Sequence, residues 1–113
     1  MRSVRESLLF ASSNALDFQL MGSEERREGN LENALAYFSI AWGFNCFQEY
    51  KEGMYLCDQL MLSCGIEEDL IICHEYGIQT VNYAFNLINK VSKCLDRPEP
   101  YPEITTPPKG VFD

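Results

Sequence analysis

All five prolines of the chain fall in its last 17 residues, RPEPYPEITTPPKGVFD, and none in the 96 before them. Proline removes a backbone donor, clashes with the preceding helical turn and biases its predecessor towards extended backbone. A long stretch without it, patterned in steps of three and four, is open to helix from end to end. The pattern predicts an all-α fold: an antiparallel bundle of three or four helices over residues 1–96, then an extended Pro-rich tail over 97–113. With 113 residues there is room for one core and no second. The tail alternates Pro with Tyr101, Ile104, Val111 and Phe112. Those side chains give it something to dock with, on its own domain, on a partner or on a second copy.

Charge narrows the partners. Lys and Arg number 9 against 17 Asp and Glu, a formal net charge of -8. Affinity for phosphate backbones and anionic lipid comes from Lys and Arg, so neither nucleic acid nor membrane is expected as a partner. The N-terminal apolar run, Leu8 to Ala11, is too short for a signal peptide, and no stretch approaches the ~20 apolar residues of a membrane span. Five cysteines, Cys46, Cys57, Cys64, Cys73 and Cys94, are an odd number spread through apolar segments. They read as small buried hydrophobes in a reducing compartment, which makes the expected location cytoplasmic.

Three helical stretches are predicted. The first runs from Ser3 to Glu28, opened by a Ser3–Glu6 capping box and closed at Gly29, with Asn30 placed to cap the next. The second starts at Leu31 with a seam of Ala34, Leu35, Phe38, Ala41 and Trp42, and its pattern runs on through Met54, Cys57 and Met61 to Cys64. Gly53 weakens that run, so a break or kink is expected around Lys51–Gly53. The last helix opens on Glu67, Glu68 and Asp69. Its stripe comprises Leu70, His74, Gly77, Val81, Ala84, Ile88, Val91 and Leu95. Ile71, Ile78, Phe85 and Leu87 widen that stripe, so burial along much of its length is expected.

Residues 15–48 resemble a single tetratricopeptide-type helical hairpin. Gly22 stands at the repeat's small position, Phe18 and Met21 at large apolar ones, and Ala34, Phe38 and Ala41 at the alanine, aromatic and alanine positions of the second helix. Glu25 replaces a usual aromatic and Cys46 the closing proline. No second copy follows 34 residues on, and a single repeat builds no concave groove. The segment from Gly29 to Gly43, with its Ser39-Ile40-Ala41-Trp42-Gly43 string, is also similar to a small archaeal helical family of unknown function. Both resemblances imply architecture and no chemistry.

Candidate chemistry is sparse. His74 is the sole histidine, so any His-dependent catalysis must use it, with Cys57 or Cys64 approaching across helices and an acid such as Glu75 or Asp58 nearby. Cysteine spacings of 11, 7, 9 and 21 lack zinc-ligand pairs, and the seven glycines form no phosphate loop. No cofactor or metal is expected. The aromatic residues say more: Tyr37, Phe38, Trp42, Phe44, Phe47, Tyr50 and Tyr55 surround the second stretch on more than one side. Either the last helix covers them or another protein does. The reading is a non-catalytic interaction or assembly module, self-associating or binding a protein partner through Tyr37, Trp42, Phe44, Phe47 and Tyr50. The alternative is a small helical enzyme or ligand binder with a pocket around His74, Cys57 and Asp58.

Overall fold

The computed structural model describes residues 4–65 and 70–95, with side chains from 13 onward except those of 88 and 92. Four helices account for them: α1 (Val4–Arg27), α2 (Leu31–Phe47), α3 (Lys51–Leu62) and α4 (Leu70–Cys94). No strand occurs among the described residues. The Ser3–Glu6 capping box, the acidic opening at 67–69 and the tail at 97–113 lie outside them.

The turns between helices follow from backbone chemistry. Gly29 closes α1 in the left-handed region at φ 85°, where its N–H donates to Arg26 O and that of Asn30 to Glu25 O. This pair of bonds satisfies carbonyls that the helix end leaves open. The Asn30 side chain does not cap α2; its amide turns back to the Glu25 carboxylate at 2.8 Å. The same pair of bonds ends α2, from Glu49 N to Cys46 O and from Tyr50 N to Asn45 O. Here the left-handed residue is Glu49, at φ 54°. The break therefore falls at 48–50, just ahead of the expected Lys51–Gly53, and Gly53 lies inside α3. Its lack of a side chain answers a packing need, because a Cβ there would collide with the Asn45 amide.

α2 is the central helix, and α1, α3 and α4 all pack against it. Phe18 of α1 lies 5.8 Å from Phe44 and 5.9 Å from Tyr37, while Gly22 makes room for the Phe38 ring. On α4, His74 meets Trp42, Gly77 meets Ser39 and Gly43, and Phe85 meets Phe44 and Phe47. These contacts advance together along both helices, so α2 and α4 run parallel. α1 and α3 are parallel too: Gln19 bonds Cys57 and, further along, Arg26 bonds Ser63. The chain thus forms two helical hairpins laid side by side.

Enclosure on three sides explains the run of burial from Ala41 to Cys46. α4 differs from expectation. It buries one stripe, of His74, Gly77, Ile78, Val81, Phe85 and Asn89, whereas Ile71, Leu87, Val91 and Leu95 stay exposed. Among the described helices only α2 packs along it, with α3 touching it through Asp58 and His74, and one long neighbour covers one face.

Candidate functional site

The rings expected at an interface divide sharply. Trp42 has no exposed surface and Phe44 is 5% exposed, so both belong to the chain's own core under α1 and α4. Tyr37 and Phe47 are half-buried, the first against Phe18 and the second 4.9 Å from Phe85. Tyr50 alone is openly exposed, its phenol donating to the Glu52 carboxylate at 3.2 Å. That bond, and the nearby negative charge, raise the Tyr50 pKa. Assigning Trp42 and Phe44 to a partner surface is corrected. Two-sided apolar character on α2 reflects two helices of the same chain, one on each side.

The His74–Asp58–Cys57 group is only partly assembled. His74 Nε2 lies 2.5 Å from Asp58 Oδ1, joining α4 to α3. The Trp42 indole stacks on the imidazole, with centroids 3.9 Å apart and planes 10° from parallel. Cys57 faces elsewhere: its sulfur accepts N–H groups from Gln19 at 3.4 Å and Asn45 at 3.5 Å. Burial pushes the Cys57 thiol up to about 11 against these two bonds, which act to lower it. Burial, with help from Glu49, pushes Cys46 to about 12. A thiol so shifted stays protonated at neutral pH and is a poor nucleophile. With the imidazole enclosed beneath Trp42, the arrangement acts as a tie among three helices. Among the described residues, no three His, Cys, Asp or Glu side chains group as a metal site.

Two surface features remain. On α4, Ile72, Tyr76, Tyr83 and Leu87 are all exposed, Tyr83 at 68%. At 100° per residue they fall within about 60° of arc, opposite the stripe that packs on α2. Tyr55 and Leu62 of α3, also exposed, add apolar surface to this hairpin. The other feature is an open groove of 780 Å³ between α1 and α3. Leu16 and Gln19 form one wall, Gly53 and Leu56 the other, and Asn45 and Gln48 of α2 the floor. Tyr50 and Glu52 also border it.

Sequence reasoning missed both features. A signal for the first is present, since Ile72, Tyr76, Tyr83 and Leu87 repeat at helical steps; of these only Leu87 was counted, as widening the stripe of a helix expected to be buried along much of its length. The groove left no local signal, because its walls lie about 40 residues apart in the chain.

Compared with protein-family models, curated proteins and solved structures, the chain matches none. No helix among the described residues is long and apolar enough to cross a membrane.

Proposed function

We propose that the chain is a non-catalytic assembly module, tetratricopeptide-like in its first hairpin, which self-associates through the outer face of α4. One observation carries this reading: the exposed stripe is spaced to match itself. Ile72 and Leu87 lie equally far from the midpoint of the stripe, and so do Tyr76 and Tyr83. An antiparallel pair of α4 helices related by a two-fold axis would therefore set Ile72 against Leu87 of the second copy, and Tyr76 against Tyr83. Such self-complementarity is what an isologous contact requires.

Charge supports the same surface. Two copies of a chain with net charge -8 repel each other. The four stripe residues are uncharged, and their flank carries Glu75 and Lys90, one of each sign, with Gln79 between. Tyrosine and long aliphatic side chains are favoured at such contacts, because they exclude water over a large area with few rotatable bonds. All five cysteines are free thiols, a state that a reducing, cytoplasmic compartment maintains.

Light scattering across a wide range of concentration tests the proposal. Mass should rise from monomer to dimer in the native chain and stay monomeric in Tyr83→Asp, with unchanged helical circular dichroism. A native chain that remains monomeric throughout, or a Tyr83→Asp variant that still dimerises, would overturn it.

A further inference from the structure

We infer that the groove between α1 and α3 is the seat of the chain's own Pro-rich tail, which crosses the end of the bundle and lays residues 104–113 against Leu16 and Leu56. Position is the first argument. The groove lies at the end of the molecule where α2 stops, since Asn45 and Gln48 form its floor. α4 leaves the fold at that same end: running parallel to α2, it sets Phe85 against Phe44 and Phe47. From Phe85 the chain continues to Leu95, about 15 Å further along the helix axis. Sideways, the groove is two helix spacings from α4, about 20 Å. The direct path is therefore about 25 Å. Polyproline backbone advances about 3.1 Å per residue, so residues 96–103 span that path. Residues 104–113, ITTPPKGVFD, then fall at the groove.

Chemistry agrees with this occupant. The lining both donates and accepts. Gln19 and Gln48 each give one N–H to a partner within the chain, Cys57 Sγ at 3.4 Å and Asn45 Oδ1 at 3.3 Å, and keep a second. The Ser13 hydroxyl serves in either role. Pro107 and Pro108 lack N–H groups, so the segment carries more carbonyls than donors, and those spare amide hydrogens meet the excess. Leu16 is 57%, Leu56 49% and Tyr50 46% exposed around the groove. Ile104, Val111 and Phe112 are the apolar side chains that would cover them. Tethering decides between this segment and a free ligand. Attached to α4, the tail meets the groove at an effective concentration in the mM range, so a shallow and nearly uncharged site suffices. Prolines also lower the entropy lost on docking, because the extended form is already set.

The test is photo-cross-linking on the full chain, with p-benzoylphenylalanine incorporated in place of Leu56 and Tyr83→Asp present to separate the outcome from self-association. Mass spectrometry of the monomer band should find cross-links to residues 104–113. Ile104→Asp together with Phe112→Asp should lower their yield about fivefold, with unchanged helical circular dichroism. A second measurement leaves the groove itself unaltered. In proton–nitrogen correlation spectra of the Tyr83→Asp chain, the same pair of substitutions should shift the amides of Leu16, Gln48 and Leu56 and leave those of Ile72 and Leu87 in place. Absence of cross-links to the tail, cross-links to residues 1–12 in its stead, or tail cross-links that join two chains would overturn the inference. So would a yield that survives the double substitution, or groove amides that do not move.

Discussion

The structure holds two pairs of parallel helices that differ in how closely they approach. α2 and α4 meet backbone to backbone: a Cβ on Gly43 would stand 2.5 Å from the Gly77 carbonyl oxygen, and one on Gly77 would overlap the Ser39 carbonyl. α1 and α3 stay apart, joined by the Gln19–Cys57 and Arg26–Ser63 bonds, with a groove beside them. Direction and connectivity are alike, so neither sets the separation. Residue size at the crossing does. Glycine on both helices lets ridges close into a dry seam, whereas leucine and glutamine prop their helices open and leave polar groups facing water.

The contrast is most easily broken at Gly77. Gly77→Ala gains about 1 kcal/mol of helix propensity but forces a methyl group into the Ser39 carbonyl. Overpacking should prevail, for a net loss of about 2 kcal/mol in urea denaturation; a gain would mean that the seam has slack. A smaller effect should appear with pH. The Cys57 thiol, raised by burial from 9.0 to about 11, favours the fold fully below pH 9, and that contribution is lost as pH rises towards 11. The sign follows because the unfolded chain releases the proton first. Between pH 8 and pH 10 Cys57→Ala should therefore lose less stability than the native chain, by about 1 kcal/mol. The least effect is expected at the groove walls. Leu16→Ser and Leu56→Ser, each about half exposed, should stay within about 0.5 kcal/mol of native stability.

Much of the architecture was legible in the residues. Gly29 marks a helix end where positive φ is observed. The seam from Ala34 to Trp42 is the buried face of α2, and Gly22 stands where the Phe38 ring needs space. The α2–α3 break was misplaced by a few residues because Glu49, not a glycine, takes the left-handed position. Less of the candidate site was visible. His74 and Asp58 do meet, as their residue types allowed, but the Cys57 thiol turns to two amides on other helices. A side chain's direction across helices depends on a rotation that periodicity along one helix does not encode.

By itself the sequence determined that the chain is helical, because proline is withheld from nearly all of it and its apolar residues recur in steps of three and four. It also determined the net charge of -8, since charge sums without reference to shape. Tertiary structure alone decided which aromatic rings are hidden. Trp42 and Phe44 vanish under α1 and α4, while Tyr76 and Tyr83 on α4 remain in water. All four are large rings on helices. Their difference is which neighbour lies within reach, and burial is a property of pairs of surfaces.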